Sequence, residues 1–467
     1  MRFSFLLFLF FIASLSAVGQ NEYVHITKVT VTGNKKTKEK IILRELDINV
    51  GDSLPKNKID TLLTIDTRKI VNRNLFNDVK LSLKMDSTQH NAELLVEVVE
   101  RWYVFPGIDV SWADRNFNEW WYTYNHDIKR LKYGVYTGIE NITGNGDRLG
   151  ANIILGFQKQ YGLKYTRPYI DKKQKTGIEV GFSYNTFTNI QYTAVADRFR
   201  AFEQDLKPVR KSLIGNATVT RRTGFYLLQS LTLGYSNHTI VDSVAIKNPN
   251  YFLDGLTRQS YLSLTYNLRL DRRDNINYPL NGYLLNFQLS KLGIVPQDNV
   301  NMTYGLASIA LYKPISKKIY ISTSLRGRLS WPRSTIQQPY FQRQTTGFGI
   351  RNELVRGYET YIIDGQAFGI MKNNIKYELL NKTFYIKALP TQFRKIPIAV
   401  YARVSGDLGY VANRNPELTQ SKLSNKALLG GGFAIDVVTF YNVVLQFSFY
   451  GNQMGEYNPV PRTSVDF

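Results

Sequence analysis

The chain has 467 residues, 59 Lys+Arg against 37 Asp+Glu, a net charge of +22 and a mean hydropathy of −0.26. It has no cysteine and only four histidines (His25, His90, His126, His238), which excludes disulfide frameworks, thiolate metal sites and thiol nucleophiles. At 43% hydrophobic residues it is no disordered polymer, and neither a cofactor nor a metal is expected.

Residues 1–19 read as an export signal. Arg2 precedes an apolar run from Phe3 to Ala13, and small residues at Ala17 and Gly19 suit cleavage after Gly19. The run is shorter than the roughly 20 residues of a spanning helix. No other run is long enough, so the exported chain is either soluble or crosses a membrane as strands. No Cys follows the signal, which excludes a lipoprotein.

Residues 20–101 predict a small α+β domain in the order β-α-α-β-β. Residues 24–32 alternate and are β-branched. Thr37 is placed to cap a helix running to Leu46, and a second helix fits 56–73, with Ile59, Leu62, Leu63, Ile70 and Val71 as its apolar stripe. Strands at 78–83 and 94–99 follow. The pieces Val29-Thr30-Val31-Thr32-Gly33-Asn34, Gly51-Asp52 and Leu75-Phe76-Asn77-Asp78-Val79, in this order, resemble a POTRA domain. In physical terms, Gly33 lets the chain turn off the first strand and Phe76 plugs the core beneath the helices.

From Trp102 to Phe467 the hydrophobic period becomes two. In 260–271, Leu262, Leu264, Tyr266, Leu268 and Leu270 oppose Ser263, Thr265, Asn267, Arg269 and Asp271. The segments 319–331 and 443–449 repeat the pattern. Sixteen strands are predicted near 102–111, 132–142, 147–158, 161–169, 176–190, 209–222, 224–238, 257–271, 282–292, 301–313, 318–331, 366–379, 396–411, 427–438, 442–451 and 462–467. A soluble sandwich shows the same alternation. Connections after odd strands are mostly long and those after even strands mostly tight, as in a barrel with short turns on the periplasmic side. The fold class is therefore mainly β: a sixteen-stranded transmembrane antiparallel barrel after one small α+β domain.

Two motifs stand inside the barrel. One is a turn with Asp271, Arg273, Asp274, Asn275, Pro279 and Gly282; the other is Val355-Arg356-Gly357-Tyr358-Glu359 in the connection 332–365. Together, in this order and spacing, they resemble the BamA/TamA-type outer-membrane assembly barrel superfamily, and the resemblance spans the whole mature chain. It implies that the loop carrying Arg356, Gly357 and Tyr358 folds into the lumen, with Arg356 on Glu378 and Asp407 of the following strands. Physically, an Arg inside a barrel needs carboxylates, which a guanidinium takes bidentately. Alternation alone also allows both carboxylates simply to face lumen water. The resemblance further implies a lateral seam between the first strand (Val104, Pro106, Gly107) and the last (Val465, Phe467). Pro106 cannot donate to a ladder and Gly107 weakens one.

Function follows as an expectation: an outer-membrane protein with its N-terminal domain in the periplasm, acting in protein assembly, insertion or translocation. Its partners would be outer-membrane lipids and lipopolysaccharide, unfolded barrel or secreted clients, and periplasmic chaperones. The chain departs from the best-known insertase in having room for one POTRA domain. Rival readings are a dedicated transporter for one secreted partner and a passive or lipid-related pore. An enzyme would need a Ser–His pair, and no histidine shows an obvious partner in sequence. For an exported chain the basic excess is no nucleic-acid signal. Lumen-facing Arg269, Arg326 and Arg328 and the basic loops suit lipopolysaccharide phosphates or acidic loops, although such charge is usually just a solvated face.

Overall fold

The computed structural model describes residues 22–87, 90–112, 119–204, 207–334, 336–346, 355–390, 394–439 and 443–462. The signal segment 1–19 and the seam residues Val465 and Phe467 lie outside the described residues. The chain divides into two compact units, residues 1–100 and 101–467.

The first unit contains β1 (Tyr23–Thr32), α1 (Glu39–Leu43), β2 (Ser53–Pro55), α2 (Ile59–Val71), β3 (Phe76–Met85) and β4 (Asn91–Glu100). Its sheet runs β2-β1-β4-β3, with β1 parallel to β4. Val24, Ile26, Ile41, Ile42, Ile70, Phe76, Leu94 and Val96 form its buried core. Two expectations are corrected. The three-residue β2 adds an antiparallel edge to β1, too short to show a period in sequence. Thr37 is not the helix cap: Lys38 takes that position, and the Thr37 N–H donates to the Glu100 carboxylate at 2.6 Å.

The second unit is a sixteen-stranded antiparallel sheet with one added hairpin. Its strands begin with β5 (Val104–Trp112), β6 (Leu131–Glu140), β7 (Arg148–Gly156), β8 (Gln158–Arg167) and β9 (Thr176–Phe187). The hairpin β10 (Asn189–Val195) and β11 (Arg198–Glu203) stands outside the sheet. The sheet resumes with β12 (Arg210–Thr223), β13 (Leu227–Ile240), β14 (Arg258–Asp271), β15 (Gly282–Leu292), β16 (Met302–Pro314) and β17 (Ile319–Trp331). It ends with β18 (Ala367–Tyr385), β19 (Lys395–Ala412), β20 (Ala427–Val438), β21 (Val444–Asn452) and β22 (Tyr457–Arg462). The last described strand lies at 457–462, and the predicted strand 462–467 falls, beyond Arg462, outside the described residues. β18 also extends beyond its predicted end at 379, its ladder with β19 reaching Tyr385↔Lys395.

Alternation sorts the two faces. Leu325, Val404 and Phe433 point outward, and Phe433 is 62% exposed. Ser322, Arg328, Ser330, Arg403, Asp407, Asp436 and Gln446 point inward and are buried. An apolar exterior around a polar interior is the pattern of a membrane-spanning barrel. The sheet wraps around that interior. Flat, β15 and β20 would stand about 24 Å apart, yet Tyr278, four residues before β15, donates its hydroxyl to Asp436 of β20 at 3.0 Å.

The long connections meet at one end and form a cap. β10, β11, α3 (Asp242–Lys247) and α4 (Tyr340–Thr346) bury Ile190, Ala194, Val244, Tyr251, Phe252, Phe341 and Ile362 in one apolar cluster. The tip of the β10–β11 hairpin clasps three other connections. Asp197 accepts from the Ser421 hydroxyl and from the N–H groups of Lys422 (2.7 Å) and Leu423 (3.0 Å), and its carbonyl accepts from Ile362 N–H at 3.0 Å. Arg198 lies over the Tyr361 ring at 3.8 Å and reaches Glu456, between β21 and β22, at 3.4 Å.

Candidate functional site: the lumen lock and the seam

The loop after α4 returns to the inner wall at Val355-Arg356-Gly357-Tyr358. Arg356 is buried, and Asp407 of β19 takes it as a fork. Its Nε donates to Oδ2 at 2.8 Å, its Nη2 donates to Oδ1, and its backbone N–H donates to Oδ2 at 3.0 Å. Nη1 donates to Asn374 Oδ1 of β18 at 2.6 Å. Two parallel charge-assisted bonds fix the plane of the guanidinium as well as its position. Tyr358 fills an apolar cluster with Val355, Ile363, Phe368, Ile370, Val411 and Leu428.

Glycines allow the close approach. Gly357 has φ +91°, and a Cβ there would stand 2.3 Å from the Gly451 carbonyl oxygen. On the wall, a Cβ at Gly430 of β20 would lie 1.8 Å from the Arg356 carbonyl oxygen. The Gly357 carbonyl accepts from Asn452 Nδ2 at 2.7 Å.

Glu378 is corrected. It shares the inward parity of β18 but lies four residues beyond Asn374, about 13 Å along the strand. It accepts instead from the Tyr401 hydroxyl and Asn381 Nδ2, both at 3.2 Å.

A second pair, which sequence reasoning missed, lies beneath the first. Arg403 of β19 donates through Nε to Asp436 at 3.0 Å and through Nη2 to the Tyr450 hydroxyl at 3.2 Å. Its Nη1 shares Asn374 Oδ1 with Arg356, at 3.3 Å. Asp436 also accepts from Gln446 Nε2 and from Tyr278. Tyr278 comes from the turn motif, which is held by its own bonds. Asp271 accepts from Arg273 Nε at 2.8 Å, Asp274 accepts from the N–H groups of Asn275 and Leu280, and Asn275 accepts from those of Asn277 and Tyr278. Pro279 offers its carbonyl to Lys376 Nζ at 3.5 Å, and Gly282 opens β15. The two motifs are thus joined through Asn374, Arg403 and Asp436. The available signal was an Arg and an Asp at inward positions of adjacent strands.

The sheet's terminal strands are β5 and β22, and among the described residues no ladder joins them. In an antiparallel strand, the N–H and C=O of one residue point the same way. The Tyr103 carbonyl accepts from Glu140, so odd residues of β5 face β6 and even ones, Val104 and Pro106 included, face the seam. Gly107 lies opposite Tyr136. The Glu456 carbonyl accepts from Asn452, so odd residues of β22 face the seam: Tyr457, Pro459 and Pro461. The seam edge of β22 carries three carbonyls but one N–H, while that of β5 lacks only the Pro106 donor. Two prolines at alternate positions were the readable sign of an edge strand.

Two histidines do have serine partners, contrary to the sequence reading. His238 Nδ1 lies 2.9 Å from Ser212 Oγ, and His25 Nδ1 lies 2.7 Å from Ser53 Oγ. Both pairs are direct cross-strand neighbours, so register alone accounts for them. His238 is covered by the Phe341 ring at 4.5 Å.

Comparison with known proteins agrees with this geometry. Residues 141–427 match the Omp85 superfamily domain. The chain belongs to the Omp85 superfamily. Residues 24–101 match the POTRA family, described as a surface antigen variable number repeat. Among solved structures, this Omp85 chain is similar to BamA from Haemophilus ducreyi lacking POTRA domains 1–3, at 14% identity and TM-score 0.52, covering 94% of this chain and 83% of that one. It is also similar to CdiB from Escherichia coli, at 12% identity and TM-score 0.55, covering 95% and 75%. At such identities the likeness is one of fold. Among curated protein sequences, none matches.

Proposed function

We propose that this Omp85 protein is an outer-membrane assembly or translocation factor whose POTRA domain lies in the periplasm and whose clients are polypeptides. The observation that carries this reading is the seam: among the described residues all fifteen neighbouring strand pairs of the sheet are laddered, and β5 and β22 are not. An incoming extended segment finds donors and acceptors on the β5 edge, and edge addition is an established way of binding such segments. In this reading Arg356, Gly357, Tyr358 and Asp407 lock the loop across the lumen, which argues against a passive pore. Outer-membrane lipids, lipopolysaccharide and periplasmic chaperones are the surroundings it would work with.

The test uses the absence of native cysteine. Cysteine pairs placed on β5 and β22 close the seam on oxidation, and depleted cells carrying the locked or unlocked protein are compared by quantitative outer-membrane proteomics. Loss of many barrel proteins on locking supports insertion. Loss of one secreted protein identifies a dedicated transporter. Full function of the locked protein refutes the seam mechanism.

A further inference from the structure

The connection from β5 to β6 carries an aromatic surface that the lock and seam do not use. Trp112 ends β5 with the parity of outward-facing Ile108 and Val110, and stacks on Trp120 at 6.0 Å and 16°. In the turn before β6, residues 120–130 are bonded to one another. Trp120 Nε1 donates to the Asp127 carbonyl at 3.0 Å, the His126 N–H donates to the Trp120 carbonyl at 3.0 Å, and Trp121 lies 4.9 Å from the His126 ring. At its base, buried Arg130 is held between the Tyr124 ring at 3.6 Å and the Phe157 ring at 4.4 Å, and donates to Glu203 of β11 at 2.7 Å. This frame presents Trp121, Tyr122 and Ile128 at 45%, 68% and 74% exposure, with Lys129 exposed beside them.

We infer that this turn is a membrane anchor, seated in the leaflet at the Trp112 end of β5, the end of the barrel that carries the cap. The occupant follows from continuity: the exposed apolar row Ile108–Val110 of β5 and Tyr133–Val135 of β6 leads along β5 to Trp112, whose ring stacks on Trp120, which in turn meets Trp121 edge-on. Trp and Tyr, with an apolar ring and one polar atom, concentrate at the headgroup boundary, and Lys129 suits lipid phosphates. The inference rests on the barrel lying in a membrane, and the test separates the two.

The full chain is refolded into bilayers of lipids brominated on acyl carbons near the headgroup. The chain has five tryptophans. One variant keeps only Trp121 and another only Trp331, on the outward face of β17, with the others changed to Phe. The anchor predicts that Trp121 is quenched as strongly as Trp331. Quenching of Trp331 without Trp121 overturns the anchor, leaves the barrel in the membrane and gives the surface to another partner. Quenching of neither removes the membrane reading, and the anchor with it. If the multiple variants do not fold, the unmodified chain is compared with Trp121→Phe. Loss of quenchable emission supports the anchor, and no change overturns it.

Discussion

Replacing Arg356 by Ala tests the lumen lock. The substitution removes the fork on Asp407 and the bond to Asn374, and leaves a buried carboxylate that keeps one backbone donor at 3.0 Å. Breaking a buried pair from one side costs about 3–5 kcal/mol. The strand ladders are untouched, so the cost falls on docking of the loop rather than on the barrel. The retained backbone donor and Tyr358 in its apolar cluster place the loss at the lower end, about 3 kcal/mol, or roughly a hundredfold in the docking equilibrium. Hydrogen exchange of residues 355–366 in the folded protein reads this directly, since the amides of Arg356, Gly357, Tyr358, Tyr361 and Ile362 are all bonded in the docked loop. Protection there should fall by about two decades while that of β18 and β19 holds. Arg356→Lys, which keeps the charge but loses the fork, should fall between. Unchanged protection in Arg356→Ala would refute the lock.

Gly430→Ala should release the loop as Arg356→Ala does, because its Cβ and the Arg356 carbonyl cannot share the same space; exchange at 355–366 checks it, and a normally protected loop contradicts it. Pro459→Ala with Pro461→Ala adds two donors to the seam edge of β22, each contributing about 1 kcal/mol if bonded. Protection at the seam should rise and client handling slow; unchanged protection and activity would count against the polarity assigned to that edge. Asp197→Ala should expose the cap to protease far more than Arg198→Ala. The buried Asp197 carboxylate holds three donors, each charge-assisted bond contributing about 1.5–3 kcal/mol, whereas the half-exposed Arg198–Glu456 pair is worth at most about 1 kcal/mol. Equal proteolysis of the two variants would contradict this ranking.

Much of the wall was legible because each strand carries its own period. Leu262 to Leu270 alternate with Ser263 to Asp271, which gives the strand one apolar and one polar face. The misses have physical reasons. Pro459 and Pro461 look like strand breakers until one edge of the strand needs no donors. The β10–β11 hairpin is stabilised by α3 and α4 rather than by its own pattern. Glu378 and Asp407 both face inward, and parity does not say which height Arg356 reaches. That depends on stagger between β18 and β19, where Lys372 rather than Glu378 lies opposite Asp407. Asn374, an amide bonded to two guanidinium groups, carries no sequence mark at all.

The hairpin tip at Asp197–Arg198 has a consequence for the order in which the molecule is made. Its partners, from Tyr361 to Glu456, stand 163 to 258 residues later in the chain, the last of them between β21 and β22. Such distant contacts form late, once the intervening segments are in place. The clasp therefore cannot close on an unfinished barrel. During refolding, resistance to cleavage at the β10–β11 tip should appear last, after the wall is complete, so its closure dates the moment at which the protein is finished.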